Sequence, residues 1–585
     1  MTPPLSNLDR LSRCLTIGIL LIAAVDTVDG FQRQIKSTKD SWLPATREKR
    51  TELDLGTSSS YLDGLTTTVT KRNGAEIQKY PVTKERKNEN DSMFDWYKSW
   101  YPLMAVEYLD PSKPHQFKLL GMDLVVWNDS AEEDSFGPKK KKKGKVFGLF
   151  GKKDNQSSAR LGSWRVFEDV CPHRRVPLSE GRVERDGTLL CSYHGWRFDG
   201  NGACVDVPQE ADANKLERIR ANPRSKCGSF PSKVINDVLW VWPDSSENAV
   251  LESELTPPPV MPLPSDIDGT VDESRLFYGI YNFRELPYGA DYFLENVVDP
   301  SHVPVSHHNL IGDRYTDSKP LNLTVVERLN SRGFKVMSQS QTMKYPSFTN
   351  FTAPCSVAID SMLDDEGSRQ ILELYISPSR PGFSNHVGRL VLVKSKTGEL
   401  SSAFKKFNMP IPTWANHLLA ARFLNQDALF LHAQERTFTH GGTYVTSVNQ
   451  HDDEAISLNK DYKELVYTPT QADKGVVLFR EWLRRKAGGR IPFQGDATVP
   501  TVNNEVVFDQ WNFHSKNCKH CLDAHEGLRK GRLTTAIIAA MLAIWRPGGR
   551  ISTTVSVLAF SMASMVMHKL IKAFHRVEFA HAANN

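Results

Sequence analysis

Hydrophobic and polar positions alternate in different ways along the chain. From DWYKSWYPLMAVEYL, which opens at Asp95, to about Trp242, short apolar runs (KLLGMDLVVWND, GSWRVFEDV, GTLLCSYHGWRFD, VLWVWPD) are separated by turn-forming residues. That rhythm predicts a small domain built from strands. Between DLVVW and SWRVFEDV lies AEEDSFGPKKKKKGKVFGLFGKKDNQSS, polar and basic, which reads as an enlarged hairpin loop. The Pro-rich stretch LTPPPVMPLPSD (255–266) marks a linker. Beyond it, from about Leu276 to Phe493, strand-like runs (QILELYISP, GRLVLVKS) mix with a helical pattern in WANHLLAARFLNQDALFLHAQER, so an α+β region is predicted.

Near the end, LTTAIIAAMLAIW (533–545) and ISTTVSVLAFSMASMVM (551–567) are uncharged and apolar, joined by RPGGR. Each is near or below the roughly 17 residues needed to span a bilayer. Their pairing around a Pro-Gly-Gly turn favours a membrane helical hairpin over two core helices, and the basic residues on both sides give no orientation. At the other end Arg10 and Arg13 precede the apolar run Leu15 to Val25, which stops near small residues before Gly30 and Phe31. This is the layout of a signal peptide (1–30), followed by a Ser-, Thr- and Lys-rich transit-like stretch within 31–92. The combination resembles the two-part leaders of algae with secondary plastids, which implies a plastid membrane, envelope or thylakoid, reached through an ER signal. A plain secretory leader or an internal anchor is the alternative.

Length and composition narrow the classes. At 585 residues the chain has room for two or three domains, and 40% apolar and 24% charged residues are ordinary for a globular protein. The net charge of +5 is gathered in local runs, which argues against a dedicated nucleic-acid binder. Lys139 to Lys143 could touch a membrane surface or an acidic protein such as a ferredoxin, or be a solvated insertion. Eight cysteines (14, 171, 191, 204, 227, 355, 518 and 521) are too few and scattered for a disulfide framework, but four of them fall in two tight motifs.

The first motif is CPHRRVPLSEGRVERDGTLLCSYHGW, in which Cys171 and His173 are followed by Cys191 and His194. A zinc finger usually draws its Cys pair from one knuckle and its His pair from another. Here each short loop supplies one thiolate and one imidazole, which suits a Rieske [2Fe-2S] cluster, where two Cys hold one iron and two His the other. Pro172, Gly181 and Gly195 are turn residues suited to bending two loops over one cluster.

A cluster only moves single electrons, so a second site must use them. ENVVDPSHVPVSHHN offers Asn296, Asp299, His302 and His307. Two imidazoles and a carboxylate on one face of a mononuclear non-haem Fe(II) leave positions open for O2. On an unbroken helix the two histidines would point about 140° apart. Sharing a metal therefore requires a bend or an end between them, for which Pro304 supplies a reason. The alternative makes Asp299 an N-cap, Pro300 the first helical residue, and the histidines ordinary surface or core residues.

Cys-x-His-x17-Cys-x2-His followed by Asn-x2-Asp-x2-His-x4-His resembles the Rieske non-haem iron oxygenases. WYPLMAVEYLDPSKPHQFKLLGMDLVVW, RELPYGADYFLENVVDPSHVPVSHHNL and HSKNCKHC are similar to the plant and algal pheophorbide a oxygenase group, over roughly residues 93–570. The resemblance implies a small all-β Rieske domain (93–245, with the insertion 131–158), a Pro-rich linker (246–275), and an antiparallel-sheet helix-grip catalytic domain (276–495). A Cys-x-x-Cys segment (496–530) and two transmembrane helices (531–570) follow. It implies that His302 and His307 bind iron and that Asp299 bridges a cluster histidine of the adjacent subunit and an iron histidine in a homotrimer, with Asn296 nearby. A late-helix carboxylate completes the set. Asp427 in FLNQDALFLHAQE is the choice, Glu435 echoing the acidic residue that commonly follows; Asp364, Asp365 and Glu366 compete from a turn. His308 diverges from His307 and is expected to line the pocket.

The implied activity is ferredoxin-dependent oxygenation of a chlorophyll-derived tetrapyrrole, most nearly that of pheophorbide a oxygenase. Protochlorophyllide or chlorophyllide oxygenation is the runner-up, and a redox-sensing subunit of the plastid import machinery is the rival class. A sterol or quaternary-amine oxygenase is a third possibility, opposed by the C-terminal extension. Cys518 and Cys521 form a redox-switch candidate for thioredoxin, with zinc binding alongside His514, His520 or His525 as the alternative.

Overall fold

The structure is a computed structural model that describes residues 93–130, 162–261, 265–266, 269–399, 411–439, 465–496, 498–545 and 551–581. The expected leader and the lysine-rich insertion lie outside the described residues.

Eleven strands make up the first part: β1 (Tyr101–Ala105), β2 (His115–Leu119), β3 (Met122–Asn128), β4 (Trp164–Glu168), β5 (Arg182–Val183), β6 (Leu189–Leu190), β7 (Arg197–Phe198), β8 (Cys204–Asp206), β9 (Ser229–Phe230), β10 (Ser232–Ile235) and β11 (Val238–Val241). They form three antiparallel sheets, ordered β1-β11-β10, β2-β3-β4-β9 and β5-β6-β7-β8. Helix α1 (Ala213–Ala221) lies between β8 and β9, and α2 (Ala249–Leu255) follows β11. Strands β3 and β4 pair from Leu124 opposite Glu168 to Asn128 opposite Trp164, so the ends flanking the insertion stand side by side at a hairpin tip.

The unbroken apolar run in β3 has a physical cause. Successive side chains on a strand face opposite ways. Leu124 and Val126 enter one large core while Val125 and Trp127 enter a second, smaller one. Val166 and Phe167 of β4 divide in the same manner, so the two strands form the wall between the cores. The smaller core lies beneath the cysteine-bearing loops. The larger one continues from Trp100 and Trp240 into Tyr281, Phe283 and Phe351 of the second part, so the hydrophobic cores do not divide where the chain order suggests.

The second part is an eight-stranded antiparallel sheet of β14 (Leu276–Tyr278), β15 (Asn282–Leu286), β16 (Leu321–Asn330), β17 (Gly333–Ser340), β18 (Ser347–Thr352), β19 (Ser356–Met362), β20 (Arg369–Arg380) and β21 (Phe383–Val393). The order is β14-β21-β20-β19-β18-β17-β16, with β15 also on β21. Two short strands, β12 (Ser265–Asp266) and β13 (Gly269–Thr270), pair within the Pro-rich stretch. That stretch is docked rather than free, since Met261 donates its N–H to the Tyr375 hydroxyl at 3.2 Å.

Helices α3 (Ala290–Val297), α4 (Val303–Ser306), α5 (Thr413–Thr439) and α6 (Lys474–Lys486) accompany this sheet. Phe479 and Trp482 of α6 pack edge-on against Phe351 of β18. At Gly475, near the start of α6, a Cβ would come within 2.2 Å of the Val298 carbonyl oxygen. That glycine lets α6 press against the turn leaving α3, which carries Asp299 and His302.

Two one-turn helices, α7 (Asn504–Val507) and α8 (Gln510–Phe513), lead to α9 (Lys519–Trp545) and α10 (Ile551–His575). The last two run antiparallel, with Arg532 bonded to His568 at 2.8 Å and His525 to His575 at 3.1 Å. The first apolar run is only the second half of α9, whose first half is charged. Among the described residues one helix, Thr553–His575, is long and apolar enough to cross a membrane.

Candidate metal centres

Cys171 and Cys191 occupy equivalent places on two similar loops. The N–H of Cys171 bonds the Val176 carbonyl and its carbonyl receives Arg175 N–H; Cys191 does the same with Trp196 and Gly195. Each loop closes through a residue of positive φ four places after the cysteine, Arg175 at 61° and Gly195 at 75°. Both thiols are buried, while His173 is exposed and His194 half-buried, with ring centroids 4.7 Å apart. His173 also stacks on Trp196 at 4.6 Å. Burial pushes the Cys171 thiol up to about 12, so a thiolate here needs a cation beside it. A cysteine-held iron inside and a histidine-held iron at the surface would fit this arrangement.

The second group is assembled from two places. Helix α3 stops at Val297, and the chain turns through Asp299 and Pro300 before the single turn of α4. His302 stands immediately before that turn and His307 immediately after it. The histidines therefore flank one helical turn instead of lying along a bent helix. Pro304 sits in the first turn of α4, where its missing N–H costs nothing. Asp427 projects from the middle of α5, its Oδ2 3.2 Å from His307 Nε2 and 3.8 Å from His302 Nε2. The three candidate ligand atoms lie within 4.8 Å of one another.

Hydrogen bonding sets what these atoms can do. His307 Nδ1 donates to Gln426 Oε1 at 2.8 Å, and His302 Nδ1 donates to the Asp299 carbonyl. With both Nδ1 protons committed, each Nε2 presents a lone pair beside the carboxylate. Three acceptors converging without a shared proton suit a cation, and this donor set is that of a facial triad. Burial would raise the Asp427 carboxyl, but the Ser306 hydroxyl, together with either histidine when it carries a second proton, holds it below its ordinary value, so the acid is a carboxylate.

These residues line a cavity of about 900 Å³ with Phe293, Val297, Leu372, Leu374, Leu390 and Phe423 among its apolar walls. That is near the upper end for small-molecule sites, roughly 300–1,000 Å³. Phe423 stacks on His307 at 4.1 Å. Burial drives His386, also in the wall, down to about 4, and its Nδ1 has no hydrogen-bond partner. The exposed Lys319 lies on the rim.

Other expected residues fall variously. Asn296 lines the cavity. The Asp299 carboxylate caps the turn, accepting from Ser301 N–H at 2.8 Å, so within the chain it holds His302 through its main chain and not its side chain. Asp299 is neither a helix N-cap nor followed by a helical Pro300. His308 turns away, accepting Arg314 N–H at 3.1 Å, and is not among the cavity-lining residues as expected of it. Asp364, Asp365 and Glu366 stay in a surface turn. Glu435 accepts Gly289 N–H at 2.8 Å instead of joining the histidines. Cys518 and Cys521 are fully buried and meet His514 and also His417 of α5; His520 and His525 are not in that group. Sequence reasoning missed Gln426, Ser306, Phe423 and His417. Gln426 adjoins Asp427 in the chain, but nothing local marks it as the partner of a histidine 119 residues away.

Comparison with known proteins agrees with these two centres. The Rieske [2Fe-2S] domain family matches residues 99–217, which hold the paired loops, and the pheophorbide a oxygenase family matches residues 351–444, which hold Asp427. The chain is 31% identical over 464 residues to pheophorbide a oxygenase, chloroplastic, of Arabidopsis thaliana, covering 76% of this chain and 75% of that protein. It is 28% identical over 574 residues to flavonoid 8-hydroxylase 2, chloroplastic, of Ocimum basilicum, covering 94% and 95%. It is 26% identical over 552 residues to protochlorophyllide-dependent translocon component 52, chloroplastic, of Arabidopsis thaliana, covering 84% and 86%.

Proposed function

The chain belongs to the Rieske non-haem iron oxygenases of the pheophorbide a oxygenase group, and from that premise we propose that it oxygenates a chlorophyll-derived tetrapyrrole in a plastid. The observation that carries the reading is the convergence of His302, His307 and Asp427 on the wall of a large, mostly apolar cavity. Cys171, Cys191, His173 and His194 would hold the cluster, and the two histidines with Asp427 the iron. Bound there, the cluster would supply single electrons taken from reduced ferredoxin and the iron would activate dioxygen. The protein's own part is to keep each Nε2 unprotonated through Gln426 and Asp299, to exclude water with the apolar wall, and to hold the substrate's ring against Asn296 and Phe423. Lys319 on the rim is placed to meet a carboxylate, which a chlorophyll derivative stripped of its phytyl chain carries.

In a homotrimer, Asp299 would link the His302 side of one subunit to a cluster histidine of the next. The membrane reading rests on α9 and α10, whose Leu533, Met541, Trp545, Leu558, Met562 and Met565 are exposed, as suits a hairpin dipping into lipid. Relatives called chloroplastic support the plastid, and the signal-like leader supports a secondary one. The flavonoid hydroxylase likeness, nearly end to end, favours a second reading in which the substrate is a smaller flat phenol.

The test is turnover by the reconstituted full-length protein with reduced ferredoxin and oxygen. Pheophorbide a, chlorophyllide a, protochlorophyllide a and a flavone are offered side by side and products followed by chromatography and mass. Oxygenated product from one tetrapyrrole, lost in His302→Ala, supports the proposal. Product from the flavone alone moves the protein to the second reading. Fully iron-loaded protein inert on all four overturns both and favours the redox-sensor alternative.

A further inference from the structure

Outside the oxygenase centres the described residues contain one other convergence of metal-ligating side chains. His417 of α5, His514 at the end of α8, and Cys518 and Cys521 at the start of α9 are all buried, and their ligand atoms lie within 4.8 Å of one another. We propose that these four residues form a structural site for a single zinc(II) ion, which clamps the C-terminal helices onto the helix that carries Asp427.

The distances fit a tetrahedron. His417 Nδ1 is 3.1 Å from His514 Nε2, 3.4 Å from Cys521 Sγ and 3.6 Å from Cys518 Sγ, and His514 Nε2 is 3.3 Å from Cys521 Sγ. Zinc bonds of about 2.0 Å to nitrogen and 2.3 Å to sulfur place tetrahedral ligands about 3.3 to 3.8 Å apart. The four separations lie close to the edges of such a tetrahedron.

The hydrogen-bond pattern independently calls for a positive charge between the rings, which a metal ion supplies. His417 Nε2 lies 3.0 Å from the Tyr281 carbonyl and His514 Nδ1 lies 2.6 Å from the Phe283 carbonyl. Carbonyls only accept, so both ring protons are committed there. Residues two apart where β15 begins point their carbonyls to the same side, and the strand thereby orients both imidazoles. His417 Nδ1 and His514 Nε2 then face each other with lone pairs at 3.1 Å, an arrangement that two neutral imidazoles cannot stabilise. Zinc removes the conflict. Binding releases the two thiol protons to solvent and needs no oxidant or reductant, and Zn²⁺ with two thiolates is neutral overall, as suits a pocket walled by Tyr108 and Phe283.

The position gives the role. His417 is ten residues before Asp427 on α5, about 15 Å along the axis, so the site is separate from the candidate iron centre yet shares its helix. The two thiols are fully buried, so neither sulfur can reach and attack an external disulfide in this conformation. This inference does not rest on the choice of substrate above.

Full-length protein purified without added metal would be analysed by plasma mass spectrometry and zinc-edge X-ray absorption. One zinc per chain with two sulfur and two nitrogen neighbours is expected. His417→Ala and Cys521→Ser should each lower bound zinc about tenfold or more, with the Rieske visible spectrum unchanged. Because either variant could misfold, wild-type protein made with cobalt(II) replacing zinc provides the second readout, the intense visible bands of thiolate-bound tetrahedral cobalt. Zinc-free wild-type protein from zinc-replete cells, a Cys518 to Cys521 disulfide in its peptide map, or iron at this site would each overturn the proposal.

Discussion

Replacing Gln426 by Leu tests whether the helix that supplies Asp427 also governs the histidine opposite it. Gln426 is 3% exposed and its Oε1 accepts the His307 Nδ1 proton at 2.8 Å; His307 is 1% exposed. Leucine fills similar volume but accepts nothing. The imidazole must then either leave a buried N–H unsatisfied, at a cost of about 1–3 kcal/mol, or move the proton to Nε2, where it blocks the metal. Either way the free energy is drawn from iron binding, which should weaken about 5- to 150-fold, in line with the roughly 10- to 100-fold typical of groups that orient a metal-bound histidine. The assay is retention of mononuclear iron against increasing chelator, with the cluster's visible absorbance as internal standard. Gln426→Glu keeps the acceptor and should retain iron like the parent. Superimposable retention curves for Gln426→Leu and wild type would refute the claim that this hydrogen bond sets the ligating tautomer.

Further outcomes follow from the same geometry. Asp427→Ala should reduce iron from about three to about two per chain and abolish turnover while the cluster's spectrum persists, as metal analysis and electron paramagnetic resonance would report. Lys319→Ala should raise KM about three- to tenfold for a carboxylate-bearing pigment, on the order of 1 kcal/mol, leaving kcat and the KM of the methyl ester unchanged in steady-state assays. Glu435 is buried, and burial followed by the charge of Asp291 pushes its carboxyl up to about 8. The unfolded chain loses that proton first as pH rises, so this residue's contribution falls between about pH 4.5 and 8 and is level above that. Glu435→Gln should remove the decline and raise the melting temperature at pH 8, by an amount on the order of a few kcal/mol in stability. Equal melting temperatures for the two proteins at pH 5 and at pH 8 would contradict that linkage.

What the chain's sequence determined by itself is what is local. Each paired loop carries its own thiol, imidazole and turn residues within a few positions, so ligand type and spacing speak for the cluster before any fold is known. The turns needed there, through Arg175 and Gly195, depend only on neighbouring backbone. The helical pattern around Asp427 was legible too, because Leu418, Ala421, Leu424, Ala428 and Leu431 recur every three or four residues along α5. Tertiary structure decided whatever depends on which faces meet. Hydrophobic periodicity places Gln426 and His417 on a helix but does not say that one locks His307 or that the other meets Cys518 and Cys521, over a hundred residues away in sequence. The unbroken apolar run in β3 has the same origin, since a strand loses its polar face only when a separate core lies on each side. The apolar half of α9 could be read directly, whereas its charged half, anchored by the cysteine pair, took its place from packing against His417 of α5.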